Sequence, residues 1–182
     1  MKKIHFFILA LFASITLVSC NDDDEFYNSV YLDIPELVKI EVPGGGYAVN
    51  DNLNFSIDFS RYLAEPGQTT PLDLFKTSGA TSFGFAYYLE RKDGSVWKTV
   101  FPNQDEFRIG DIVYVSATET YEFDESYPLA VAGEYRFRLE PYDGNKLKTN
   151  LVSRNDENKT LISIITSADN IDSEGYYYFD VN

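Results

Sequence analysis

One thiol, one imidazole and 29 carboxylates are the groups from which this 182-residue chain would have to build nucleophilic, acid-base or metal chemistry. The thiol is Cys20 and the imidazole is His5, so residues 21–182 contain neither. Ser-His-Asp and Cys-His catalysis need an imidazole to carry the proton, and zinc sites, haem ligation and disulfides draw on the same two residue types. None of these is expected in the body of the chain. Carboxylates remain: two acids hydrolyse a glycosidic bond when held roughly 5 to 10 Å apart, and oxygen ligands hold calcium. No stretch fits D-x-[DN]-x-[DN]-G-x5-E, however, and no spacing singles out one acid pair. Asp169, Asn170 and Asp172 carry ligand-type oxygens, but such clusters between strands serve turns. Neither GxxxxGK[ST] nor GxGxxG occurs, and Gly44, Gly45 and Gly46 after Pro43 read as a bend. No catalytic residue, metal or cofactor is expected.

Stacking is the chemistry left, and it belongs to the aromatic side chains. Trp97 is the single tryptophan, and it follows the hairpin sequence RKDGS. If Asp93 and Gly94 alone form the turn, Glu90 lies opposite Trp97 with Tyr88 diagonal to it, and an aromatic pair faces solvent, suited to stack on a sugar ring. If Lys92, Asp93 and Gly94 form a three-residue loop, Leu89 faces Trp97 instead and the indole joins the core. The core placement is preferred, because Phe85, Tyr87 and Leu89 need a partner surface that a tryptophan fills well. Tyr176, Tyr177 and Tyr178 pose the same question, since alternation turns at least one of them away from its neighbours. The candidate ligand contacts are Trp97, Tyr88 and Tyr177.

Ahead of these, Lys2 and Lys3 precede the apolar run IHFFILALFASITLV from residue 4 to 18. That run is short of the ~20 residues a membrane-crossing helix needs, and an acidic flank follows it, so it reads as a signal peptide. Leu17, Val18, Ser19 and Cys20 resemble the bacterial lipobox. The resemblance implies removal of residues 1–19, diacylglycerol on the Cys20 sulfur and a palmitate-type acyl chain on its new amino terminus. Two or more chains give stable anchoring, at ~0.8 kcal/mol per buried methylene. Asn21, Asp22, Asp23, Asp24 and Glu25 are similar to the export signal that follows the lipidated cysteine in surface lipoproteins of Bacteroidetes-type bacteria, which implies the outer face of the outer membrane. Read without that resemblance, residues 20–29 are an extended acidic tether.

Residues 30–182 alternate with period two. In LNFSIDFSRYL, Leu53, Phe55, Ile57 and Phe59 share one face. In GEYRFRLEP, Tyr135, Phe137 and Leu139 oppose Arg136 and Arg138, whose guanidinium groups face outward to pair with acids across the sheet. Strands are also expected at 38–42, 83–90, 96–101, 112–118, 161–167 and 176–181, with a short helical turn around Leu72 to Phe75. Eight or nine such strands predict an all-β, two-sheet antiparallel sandwich. PLAVAGEYRFRLE resembles the tyrosine corner of immunoglobulin-like domains, with Tyr135 opening the strand, and YAVNDNLNFSIDF resembles the start of immunoglobulin-like modules in such surface lipoproteins. Antibody-type inter-sheet cysteines are missing, so the likeness speaks for fold and not for activity.

Removal of Lys2 and Lys3 with the leader leaves 13 basic against 29 acidic residues, a net −16. Such a surface repels nucleic acid and anionic headgroups, so the membrane contact is expected through covalent lipid alone. The expected function is a non-enzymatic binding or scaffolding lipoprotein, with a glycan or an envelope protein as candidate partner. Docking of the C-terminal strand YYYFDVN on another envelope protein is the alternative, and a carboxylate hydrolase ranks last.

Overall fold

The computed structural model describes residues 29–65, 67–155 and 159–182. The leader, Cys20 and the acidic segment lie outside the described residues. The first strand, β1 (Ser29–Asp33), begins one residue ahead of the expected domain boundary. It is followed by β2 (Val38–Ile40), β3 (Asn52–Ser60), β4 (Tyr62–Leu63), β5 (Leu72–Asp73) and α1 (Leu74–Ser78), then β6 (Ser82–Asp93), β7 (Val96–Thr99), β8 (Arg108–Val115) and β9 (Thr120–Pro128). The chain ends with β10 (Gly133–Leu139), β11 (Thr149–Arg154), β12 (Leu161–Thr166) and β13 (Tyr177–Val181). The all-β expectation holds. Eleven of these strands form one mixed, curled sheet, and β4 and β5 pair separately. Pairing is antiparallel throughout except between β1 and β12, which run parallel.

The long strand β6 organises the sheet, and its sequence shows why. Phe83, Phe85, Tyr87 and Leu89 are buried while the residues between them face outward, the alternation that a half-buried strand requires. The first half of β6 lies between β8 and β11, and its second half lies between β10 and β7. The sheet therefore branches at Tyr87 and Tyr88. Curling brings β3 over β6, so that the Phe55 ring lies 5.1 Å from Tyr87 and 4.7 Å from Phe137, and Phe59 lies 5.6 Å from Phe83. These aromatic pairs meet edge-on or tilted, the arrangement their quadrupoles favour.

One glycine makes that packing fit. A Cβ on Gly110 of β8 would fall 2.3 Å from the Phe85 ring, so only glycine lets the ring lie against the strand. Tyr135 is buried at the start of β10, and its hydroxyl donates to the Val131 carbonyl at 2.7 Å. The bend before β10 is thereby tied to the strand it opens. At the C-terminus, Asn182 is held on the side away from β10 as well: its N–H donates to the Tyr47 carbonyl and its carbonyl accepts from Val49. The end of the last strand is thus already occupied within the chain.

Candidate binding face

Pairing in the β6–β7 hairpin differs from both expected registers. Asp93 lies opposite Val96 and Lys92 opposite Trp97, leaving Gly94 and Ser95 as a two-residue turn. Gly94 has φ +62° and Ser95 does not share that sign, which fits the Gly-X hairpin turn with glycine first. Trp97 consequently shares a face with Lys92, Glu90 and Tyr88, and the preferred core placement is corrected. It sits half-buried on the outer side of the sheet. Tyr177 is corrected in the opposite sense. It is only 8% exposed, lies across from Phe137, and stacks on Phe179 at 5.3 Å. The neighbours Tyr176 and Tyr178 are the ones that face outward, Tyr178 with 49% exposure.

Together these outward residues form a ladder in which rings and guanidinium groups alternate. The Arg136 guanidinium lies 4.5 Å from the centroid of Trp97 and 4.5 Å from that of Tyr176. The Arg138 guanidinium follows, 5.6 Å from Tyr176 and 4.0 Å from Tyr88. Beyond Tyr88 comes the Phe107 ring at 5.9 Å, and Tyr178 flanks both Trp97 at 5.8 Å and Tyr176 at 5.5 Å. The order follows from the strand register: Arg136 pairs with Glu90 and Arg138 with Tyr88 across β10 and β6, and Arg136 pairs with Tyr178 across β10 and β13. A guanidinium over a ring gains about 0.5–1 kcal/mol when exposed and more when desolvated, so the ladder stiffens the face it decorates.

The two arginines differ in their ionic partners. The Arg136 Nε donates to Glu90 at 2.6 Å, with both side chains about one-fifth exposed. Burial alone would lower the Arg136 value, but the Glu90 carboxylate outweighs it and holds the group above its ordinary range. Arg138 forms no ion pair among the described residues, and its Nε is buried without a hydrogen-bond partner. The outward arginine that was expected to meet an acid across the sheet meets the face of Tyr88 instead. Burial, reinforced by a hydrogen bond to Glu140, pushes the Tyr88 hydroxyl up to about 12. Tyr88 is a neutral donor at physiological pH.

Next to the ladder the sheet surface dips. Gly84 and Ala86 point outward from β6, and with so little side chain they floor a trough of about 420 Å³. Phe107 and Ile109 wall one side, and Tyr142, Asn150 and Val152 the other. Arg154 crosses the floor at Gly84, where a Cβ would fall 2.8 Å from its Nε, and reaches Asp111 at 3.0 Å. Trough and ladder meet at Tyr88, whose hydroxyl is held by the trough residue Glu140. The volume falls in the usual range for ligand sites, ~300–1,000 Å³. No spacing in the sequence flagged this trough, because its floor consists of the two smallest residues and its walls come from three separate strands and loops.

The oxygen cluster after β12 behaves as turn chemistry. Asp169 accepts from the Ile40 N–H at 2.7 Å, and Asp172 accepts from the Glu174 and Tyr176 N–H groups. No group of three metal-ligating side chains occurs among the described residues. No family model, curated protein or solved structure matches the chain.

Proposed function

We propose that the chain is a non-catalytic, lipid-anchored binding module of the outer surface of the outer membrane, built on an immunoglobulin-like two-sheet sandwich, and that it takes carbohydrate on its aromatic face. The observation that carries the binding reading is the outward-facing ladder of the half-buried Trp97 and Tyr176 and the exposed Tyr178 on the outer side of the sheet. Rings held on a rigid sheet stack on the apolar faces of sugar rings at low entropic cost, because strand pairing has already fixed their positions. The immunoglobulin-like reading is supported by the Tyr135 hydroxyl reaching back to the Val131 carbonyl, the bond that marks a tyrosine corner. Anchoring is supported by Cys20 at the end of a short apolar run with a basic start.

A glycan array probed with residues 20–182 carrying Cys20→Ser tests the binding claim. Signals should fall at least tenfold in Trp97→Ala and in Tyr178→Ala. Equal signals from wild type and both variants would remove the ladder from the site. For the anchor, globomycin should block processing of the chain, and protease added to intact cells should degrade it. Processing despite globomycin, or full resistance to protease, would refute anchoring or surface exposure respectively.

A further inference from the structure

The ladder and the trough beside it also say what kind of carbohydrate fits, given the carbohydrate reading above. Two side-chain polar atoms are buried without hydrogen-bond partners among the described residues: the donor Arg138 Nε and the acceptor Asn150 Oδ1. Both belong to this outer face, Arg138 in the ladder and Asn150 in the trough wall. A buried unsatisfied polar group costs about 1–3 kcal/mol, so a ligand that completed both would recover that energy on binding. One would have to donate and the other accept. A hydroxyl does either.

Charge narrows the choice. Three cations along the face are offset nearby: Lys92 by Glu134, Arg136 by Glu90 and Arg154 by Asp111. Arg138, the one without an ion pair among the described residues, shares the Tyr88 ring with Glu140, which holds the tyrosine hydroxyl. Asp143 in the trough lining adds a further negative charge. A carboxylated or sulfated sugar would find only Arg138 without an ion pair, with Glu140 and Asp143 close by to repel it, and after loss of the leader it would approach a molecule of net charge −16.

We infer that the trough is a subsite for a neutral, hydroxyl-rich glycan chain, which continues from the Trp97–Tyr178 platform past Tyr88 onto the floor made by Gly84 and Ala86, and that acidic glycans are rejected. The floor residues set the specificity by size, since any larger side chain at Ala86 occupies the space a sugar ring would fill. Asn150 and Arg138 turn toward ligand hydroxyls when the chain is bound.

The test uses residues 20–182 with Cys20→Ser on neutral oligosaccharides (glucans, mannans, galactans, xylans) printed beside uronic-acid and sulfated oligosaccharides of matched length. Neutral chains should bind and acidic ones should bind at least tenfold more weakly. Ala86→Phe should weaken neutral binding at least tenfold, and Asn150→Leu should do so in part. Urea midpoints and far-ultraviolet circular dichroism of both variants establish that they are folded. Acidic chains binding as tightly as neutral ones would overturn the inference and leave the carbohydrate reading intact. So would unaltered neutral binding in folded Ala86→Phe when Trp97→Ala abolishes it. Absence of any carbohydrate binding, or capture of extended peptides in its place, would sink the underlying reading as well.

Discussion

Gly110 and Trp97 show how much a single side chain decides here. Gly110→Ala places a methyl group 2.3 Å from the Phe85 ring, and that ring is packed among Phe55, Tyr87 and Phe123. It cannot move without displacing them. Overpacking of this kind costs about 1–3 kcal/mol, so the urea midpoint should drop by the matching amount with little change in slope. Trp97 makes the opposite case. Its indole lies on the outer face against Arg136, so Trp97→Ala should leave no core cavity and change stability far less than the 3–5 kcal/mol typical of a buried tryptophan. A double-mutant cycle with Arg136→Ala should give a coupling of about 0.5–1 kcal/mol. Acrylamide quenching of the single tryptophan reads the same placement: the native protein should be quenched readily, whereas a core indole would resist.

At the scale of elements, the loop around α1 depends on one carboxylate with two tasks. Asp73 caps α1 by accepting from the Lys76 N–H at 2.9 Å, and it binds Arg61 through both oxygens at 2.7 and 2.6 Å. The Arg61 hydrogen bonds, strengthened by the Lys76 N–H, hold the Asp73 carboxyl below its ordinary value. Because the folded value is depressed, its stabilising contribution is present above the unfolded value near 3.9 and disappears as pH falls below it. Asp73→Asn keeps the cap and loses the charge, so it should flatten the acid limb of the stability curve. Asp73→Ala loses the cap also, a further ~1 kcal/mol. Stability measured by urea between pH 2.5 and 6 separates the two. Elements of this kind were unevenly legible in the sequence. Strict alternation made β3, β6 and β10 readable, and Pro66 to Pro71 marked the loop that carries α1. By contrast, β9 reads TYEFDESYP and β11 reads TNLVSR, with polar residues too frequent for alternation to stand out. At the candidate face, Tyr88 was placed outward in one of the two registers considered. The hairpin register was missed because Gly94–Ser95, not Asp93–Gly94, forms the turn; Trp97 faces outward with either two-residue turn, and only the three-residue loop would have carried it into the core. Tyr177 was off by one position in a run of three tyrosines, where sequence offers no sign of which is inward. The trough was invisible for a different reason, since a depression is defined by what its floor lacks.

For the molecule as a whole, no disulfide or metal is expected to brace the fold, and tyrosine hydroxyls serve as ties, three between segments far apart in sequence and one, from Tyr47, across a local bend. Tyr121 donates to the Ala80 carbonyl, Tyr127 to the Val100 carbonyl, Tyr87 to the Glu125 carboxylate and Tyr47 to the Glu41 carbonyl. Burial is the first cause that raises the pKa of all four and so suppresses their ionisation; it places Tyr121 at about 12 and, with the neighbouring Tyr177 and Glu125 groups acting on Tyr47 and Tyr87, puts those two higher still. The direction of the coupling follows from the protons. The folded state keeps these phenols protonated where the unfolded state, with values near 10, releases them. Their contribution is therefore complete below pH 10 and is lost as pH rises through the folded values. Alkaline unfolding should be cooperative above pH 10, after phenols free in solvent have ionised near their ordinary value without loss of structure. Absorbance at 295 nm should show two phases, the second coincident with loss of the far-ultraviolet β signal. Tyr47→Phe should move that second phase to higher pH, because removing a buried ionisable group removes its share of the proton release. A single phase near pH 10 with the sheet intact would mean that these hydroxyls are open to solvent and do not tie the fold together.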